Sequence, residues 1–411
     1  MTSSSERSPR LRFLPNAGLP RAYWFLWGGT IVNRLGGFVI PFLTLYLTGP
    51  RGLPVGQAAL MVSLFGAGSF AASLIGGELA DRLGRRPVML ISFFVAPLAM
   101  LAVGLGEAIA SIAVATLLLG FFTDLYRPAV NAAVADMVPP EDRPRAYGYL
   151  YWAINLGAAV APILAGLMAR SNYLLLFFGD ALTTFLFGVI ILIGVRETRP
   201  AGPQGGASPA LGDRLRAVRS EPILLAFTGL ALVFGTIYMQ GHVTLPVNMI
   251  SNGLTPEQYG LAVAINGALI VILGIPASNA AGRWPRFGVM AASSVLLGIG
   301  FGLPALVTTF AGYALSVAIW TLGEIGGATV APAIVSDLAP VDKRGLYQGV
   351  FGAAWGLAFL TGPVLGGWVY QNYGATALWT ACLVVGGLLG AGYLAMAPAA
   401  ERRMTRVEVG D

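Results

Sequence analysis

Five charged or titratable side chains stand inside otherwise apolar stretches of this 411-residue chain: Arg34, Asp124, Arg127, His242 and Glu324. A charge at the centre of a bilayer costs about 2.5 to 3.5 kcal/mol, so each such residue points to work on protons, ions or a polar ligand. Asp124 and Arg127 are three apart, share a helix face and can pair. Arg34 lies at similar depth in its own stretch, and a cluster of two cations with one anion keeps Asp124 ionised, a poor proton carrier by itself. The same three residues also fit a static ion network tying two helices together. Glu324 differs, because no Lys or Arg shares its stretch and no neighbour fixes its charge. A carboxyl that can be either acid or carboxylate can load and release a proton; a neutral, hydrogen-bonded packing role is the alternative. His242, the single histidine, stands beside Gln240 near the outer end of its stretch, where it can exchange protons or simply pack. Asp180 reads as structural or as a secondary acidic site.

The elements that must position these groups are membrane helices. The chain is 56% hydrophobic and 11% charged, with mean hydropathy +0.73, which excludes a soluble globular surface. Twelve stretches of about 20 residues, the length needed to cross a bilayer, begin near Ala22, Val55, Pro87, Ile109, Ala146, Tyr173, Pro222, Gln258, Arg286, Phe310, Leu346 and Ala375. The expected fold is all-α and integral to the membrane. Of the 25 basic residues, 21 fall in the tails or in even-numbered loops if the N-terminus is inside, so both ends are expected in the cytoplasm. Residues 1–21, with Arg7, Arg10, Arg12 and Arg21, read as a basic tail without a cleavage site. The net charge of +6 reflects topology and lipid headgroups, with no soluble basic face for nucleic acid. Cys382 is the single cysteine, so neither an internal disulfide nor a metal site is expected.

Residues 136–167 and 337–367 match at a constant offset of 201: Asp136, Pro139, Arg143, Gly148, Pro162 and Gly166 correspond to Asp337, Pro340, Arg344, Gly349, Pro363 and Gly367. The chain is thus two six-helix halves, 22–195 and 222–397, with a polar Gly/Pro-rich linker at 196–221 and a cytoplasmic tail at 398–411. Duplicated halves with a site at their interface are a transporter device.

The run Gly77-Glu78-Leu79-Ala80-Asp81-Arg82-Leu83-Gly84-Arg85-Arg86 resembles the signature loop of the major facilitator superfamily. Gly77 permits close helix approach, Gly84 a tight turn, and Asp81 with Arg82, Arg85 and Arg86 an ionic latch. The resemblance implies that Asp81 faces the start of the eleventh helix, near Gly345, where a helix N-terminus favours a carboxylate. The matching loop of the second half, Ala281 to Arg286, keeps only basic residues, so the latch is expected to be one-sided. Gly157, Pro162 and Gly166 in the fifth stretch, with Gly362, Pro363, Gly366 and Gly367 in the eleventh, resemble the helix-bending pattern of proton-driven drug exporters in that superfamily, with Ala at two glycine positions. Small residues allow close crossing, and Pro frees a backbone bond so that a helix can bend.

Asp124-Leu125-Tyr126-Arg127 and Tyr151 to Gly157 are most similar to the bacterial 12-helix multidrug/proton antiporter branch. That resemblance implies alternating-access export of lipophilic drugs or metabolites, cationic ones among them, driven by the proton gradient without a cofactor. The expected protein is a monomeric, multi-pass component of the bacterial cytoplasmic membrane, contacting lipid, protons and a small molecule. Aromatic and amide residues expected at the substrate are Phe38, Tyr126, Tyr151, Trp152, Asn155, Tyr238, Trp355 and Phe359, because rings supply apolar area and attract cations. The alternative is proton-coupled uptake of peptides or other small solutes, since Tyr151 to Gly157 also resembles a peptide-transporter signature. Asn33 replaces the Glu of that group's first-helix Glu-Arg pair. An enzyme would need a nucleophile and base or a metal cluster, and the sequence offers neither.

Overall fold

The computed structural model describes residues 18–199, 221–281, 284–340 and 344–409. Every element among them is a helix, as the lipid interior demands of a chain that must satisfy its own backbone N–H and C=O groups. The first half holds α1 (Arg21–Leu35), α2 (Val39–Thr48), α3 (Val55–Leu83), α4 (Arg85–Leu105), α5 (Ile109–Asp124), α6 (Tyr126–Met137), α7 (Arg143–Ser171) and α8 (Leu174–Gly194). The second holds α9 (Pro222–Tyr238), α10 (Gln240–Ser251), α11 (Pro256–Ala281), α12 (Arg286–Gly302), α13 (Phe310–Leu338) and α14 (Arg344–Val409). Prolines 20, 54 and 285 stand immediately before α1, α3 and α12, where a missing N–H costs nothing.

Among the described residues, eleven stretches are long and apolar enough to cross a bilayer, and the last, Leu346–Thr405, spans 60 residues. It leaves helical geometry at Gly374 (φ 85°, ψ 169°) and is two helices end to end, a turn open to glycine because it has no Cβ. Its second part continues to Val409, past the start expected for the tail at 398. Arg403 there lies 3.1 Å from Glu221, just before α9, so an ion pair ties this end down. Of the expected linker, only residues 196–199 and 221 fall among those described; the N-terminal tail before residue 18 lies outside them.

Two spanning rods are irregular at equivalent places. α1 opens at residues 36–38 before α2 begins, and α9 meets α10 at Met239; the repeat offset carries Val39 onto Gln240. The openings differ in kind, because Met239 keeps right-handed helical angles whereas residues 36–38 form a full interruption. α5 and α6 likewise meet at Leu125, which stays helical.

Packing distinguishes the two ends of the molecule. One apolar cluster joins both halves and includes Phe42, Val62, Tyr259 and Trp379. At the other end two clusters stay separate, one in the first half around Tyr23, Ala80 and Phe187, the other in the second half around Phe287, Ile334 and Tyr393. Cross-half polar contacts gather at the joined end. Tyr259 donates to the Pro41 carbonyl at 3.1 Å, the Gly56 N–H donates to Gln371 at 2.7 Å, and Arg170 pairs with Glu257 at 3.3 Å.

The helix-bending motifs divide between two tasks. Gly166 lies against the backbone of Pro256 and Glu257, and its repeat counterpart Gly367 lies against Ala59, so a Cβ at either would drive the halves apart. Gly157 instead packs on the backbone of Arg34 just before the α1 interruption, while Gly362 and Gly366 pack on Met239 and Gln240 at the α9/α10 junction. Pro162 and Pro363 lie inside α7 and α14, where each removes one helical hydrogen bond.

Candidate functional site

Between the halves lies a cavity of about 900 Å³, and its wall is chemically two-sided. The first half contributes the charges Arg34, Asp124, Arg127 and Asp180; the second contributes Tyr238, His242, Trp355 and Phe359. The cavity is shut off by the joined end described above, and its lining runs toward the other end as far as Leu74 and Gly349.

Asp124, the last residue of α5, forms an ion pair with Nε of Arg127 at 2.6 Å and accepts from the hydroxyl of Ser69. The expected three-membered cluster is looser than its sequence spacing suggested. Arg34 donates to the Tyr126 hydroxyl at 2.5 Å, so the tyrosine links it to the Asp124–Arg127 pair through the backbone of a single helix turn. Arg34 also lies within electrostatic reach of Asp180.

Asp180 has a defined task that the sequence did not disclose. Its Oδ2 accepts the N–H groups of Phe38 and Val39 at 3.1 Å each, capping the helix that restarts after the α1 interruption. The exposed N–H groups and the dipole of a half-helix favour an anion there. Asn33 donates to Thr184 at 2.9 Å on the same wall. The sequence held only two separate hints, Gly36-Gly37 in the first stretch and a lone Asp in the apolar sixth, with nothing to join them.

Glu324 lies behind the wall of the second half. It accepts from Tyr238 Oη at 3.0 Å and from Asn266 Nδ2 at 2.6 Å. Among the described residues no cation pairs with it. His242 lines the cavity one turn past Met239, its ring centroid 5.9 Å from that of Tyr238, and its Nδ1 is buried without a partner.

Of the expected substrate-binding residues, Tyr126, Tyr238, Trp355 and Phe359 line the cavity. Phe38 is buried beside it with its backbone bound to Asp180. Tyr151 and Trp152 are not among the residues lining the cavity; they are 58% and 46% exposed, with Trp152 stacked on Trp27. Asn155 turns its amide back to the Tyr151 carbonyl. Neighbouring positions such as 151, 152 and 155 spread around a helix, of which only a stripe faces any one side.

The loop between α3 and α4 is organised by its own half. Gly84 has φ 108°, a region open essentially to glycine. Asp81 forms an ion pair with Arg85 at 2.9 Å, and the buried Arg85 also reaches Asp136 at 2.9 Å and the Ala80 carbonyl at 3.1 Å. Arg86 donates to the Leu192 carbonyl at 2.8 Å, and Arg82 pairs with Glu78 at 2.5 Å. Gly77 has open space where a Cβ would stand, so it serves no close approach in this conformation. The second half keeps the ion pair too, with Arg286 on Asp337. The side chains at the start of α14, including that of Gly345's neighbour Arg344, lie outside the described set.

Sequence reasoning missed Glu197. Its carboxylate accepts the N–H groups of Arg85 and Arg86 at 3.0 and 3.1 Å and caps the start of α4. Partial burial alone would raise this carboxyl, but N–H donors from Arg199, Arg85, Arg86 and Thr198 outweigh it and hold it below its ordinary value.

Two helical halves around a central polar cavity, closed at one end, make this a membrane transporter. The sequence profile of the Major Facilitator Superfamily matches residues 26–247 and 242–408, and the chain belongs to that family; like its relatives it is a multi-pass protein of the bacterial cytoplasmic membrane. An uncharacterized MFS-type transporter of Bacillus subtilis (strain 168), YttB, is 26% identical over 371 residues, covering 89% of this chain and 93% of that one. A Na(+), Li(+), K(+)/H(+) antiporter of Planococcus maritimus is 23% identical over 370 residues, covering 82% and 87%. Multidrug resistance protein 1 of Bacillus subtilis (strain 168) is 22% identical over 339 residues, covering 82% and 86%. Among solved structures, a POT family transporter in complex with a thioalcohol-conjugated peptide superposes with TM-score 0.80 at 17% identity, covering 94% of this chain and 98% of that one. At that identity the likeness is one of fold alone.

Proposed function

We propose that the protein exports lipophilic drugs or metabolites, cationic ones among them, in exchange for protons. The observation that carries this reading is Glu324, a carboxyl with no cation partner among the described residues, hydrogen-bonded to a tyrosine on the aromatic wall of the cavity. Rings at Tyr238, Trp355 and Phe359 suit a flat apolar cation, and the ion pair Asp124–Arg127 opposite them offers a polar contact. Relatives named as a multidrug resistance protein and as a cation/proton antiporter support the same reading.

On this reading both termini are cytoplasmic and the halves 22–195 and 222–397 rock about the cavity. The joined end is then the outer one, and the conformation described is inward-facing. Substrate enters from the cytoplasm, the halves exchange contacts, and a proton loaded from outside on Glu324 resets the carrier. Each net charge crossing 100 mV supplies about 2.3 kcal/mol, so a neutral substrate draws on the potential and the pH difference, whereas one-for-one exchange of a proton for a monovalent cation moves no net charge and draws on the pH difference alone. Asp81 and its arginines act at the mouth that closes in the opposite conformation.

The test is reconstitution in liposomes with an internal pH-sensitive dye. Proton movement opposite to that of an added lipophilic cation, lost in Glu324→Gln with binding retained, establishes the exchange. Movement in the same direction makes the protein an uptake symporter and overturns the proposal.

A further inference from the structure

We infer that the hydroxyl of Tyr238 is the switch through which an occupant of the cavity and the protonation of Glu324 act on each other; this rests on the proposed role of Glu324. Tyr238 is on the cavity wall, and Glu324 is not. One hydrogen bond of 3.0 Å joins them.

The direction of every neighbouring hydrogen bond is fixed by donor inventory. Thr321 gives its single hydroxyl proton to the Val317 carbonyl at 2.6 Å, so it can only accept from Asn266, 3.1 Å away. The amide that faces Thr321 is therefore the NH2 group, and the same nitrogen reaches Glu324 Oε2 at 2.6 Å. An NH2 group donates and does not accept. A proton on Glu324 consequently has no acceptor at Oε2 and resides on Oε1, where Tyr238 Oη is the acceptor.

A phenol carries one proton. While Glu324 is ionised, Tyr238 donates to it and presents an oxygen lone pair to the cavity, with a negative charge behind. Once Glu324 takes up a proton, it donates to Tyr238, whose own proton is released and turns to the cavity. No proton leaves the tyrosine, and its ring need not move. That ring is held edge-on by Trp320 and Trp355 at centroid distances of 5.7 and 6.0 Å. The wall thus changes from acceptor to donor, so a ligand bearing N–H donors and the proton exclude each other without the ligand touching Glu324. By linkage each weakens the other by the same factor.

The titratable groups around this pair are few. His242 on α10 and Tyr259 on α11 face Tyr238, and Asn266 and Thr321 face Glu324. Across the cavity stand Arg34, Asp124, Arg127 and Asp180.

Two probes separate the switch from simple charge repulsion: ethidium, an aromatic cation with amino donors, and tetraphenylphosphonium, an aromatic cation with none. Both feel the charges on Glu324, His242 and the opposite wall, but only ethidium feels the polarity of the hydroxyl. In purified wild-type protein, the loss of ethidium affinity between pH 8.5 and 5.5 is expected to exceed that of tetraphenylphosphonium by about tenfold, a size ordinary for coupled sites. In Tyr238→Phe, which keeps the ring, the two probes should lose affinity equally. Equal pH dependence of the two probes in the wild type overturns the switch, and so does an ethidium excess that survives in Tyr238→Phe. If Glu324→Gln leaves the pH dependence of both probes unchanged, the proton-coupling role of Glu324 falls, and the switch with it.

Discussion

Nε of Arg85 lies 2.9 Å from Oδ2 of Asp136, and the repeat offset of 201 carries this pair onto Arg286 and Asp337, which also pair. The same device therefore fixes the loop-bearing helix to the end of the fourth spanning rod in each half. The environments differ. The side chain of Arg85 is 5% exposed and that of Asp136 17%, against 45% and 41% for the second pair.

Burial decides what each copy contributes. Removing one partner of a buried pair strands a charge and costs about 3 to 5 kcal/mol, whereas an exposed pair is worth about 0 to 1 kcal/mol. Arg85→Ala should therefore lower the thermal unfolding midpoint in detergent strongly and Arg286→Ala only slightly. Equal shifts would show that the repeat is functional rather than load-sharing.

Glu197 makes the loop sensitive to acid. Its carboxyl is held below the ordinary value of 4.5, so its contribution is present above that value and disappears as pH falls through the lower folded-state value. Glu197→Gln should flatten the acid limb of a stability profile between about pH 5 and 3 while leaving stability at pH 7 reduced. The comparison is between unfolding midpoints of wild type and variant across that range.

Two glycines of one motif, Gly77 inside α3 and Gly84 at the turn into α4, should respond in opposite ways to the same change. Gly84 has φ 108°, and a Cβ there would meet the Glu197 carboxylate. Gly84→Ala should cost about 1 to 3 kcal/mol through backbone strain. Gly77 has open space and a helical conformation, so Gly77→Ala should leave stability nearly unchanged or slightly raised. Any loss of transport in Gly77→Ala at full stability then reports a close approach made only in the other conformation.

Much of this was legible in the sequence because the relevant signals are local. Apolar length gave the spanning helices, the offset of 201 gave the two halves, and the Gly-Asp-Arg spacing located the loop. What stayed hidden depends on partners far apart in the chain. Asp180 caps α2 across 141 residues, and Glu197 caps α4 across 112. Neither is marked by its neighbours. Tyr151, Trp152 and Asn155 of α7 were expected at the substrate for their aromatic and amide character, and residue type alone does not say which way a side chain faces, since in a membrane an aromatic ring is also at home at the lipid interface. The break at residues 36–38 was written in Gly36-Gly37, but its meaning required the carboxylate that stabilises it.

Asp180 is where that dependence can be tested. Its Oδ2 holds two N–H groups of a helix start, and the pairing joins α8 to the interruption in α1 directly beneath Arg34. Asp180→Asn keeps one acceptor oxygen and removes the charge, so the fold should survive with a loss of about 1 kcal/mol or a little more. Asp180→Ala leaves both N–H groups without an acceptor in a wall that also carries Arg34, and the loss should be about 2 to 4 kcal/mol for two unsatisfied donors. Unfolding midpoints in detergent give the ordering, wild type above Asn above Ala. If Asn and Ala behave alike, the charge alone matters and Asp180 serves Arg34; if all three behave alike, the α1 interruption is held open by other contacts.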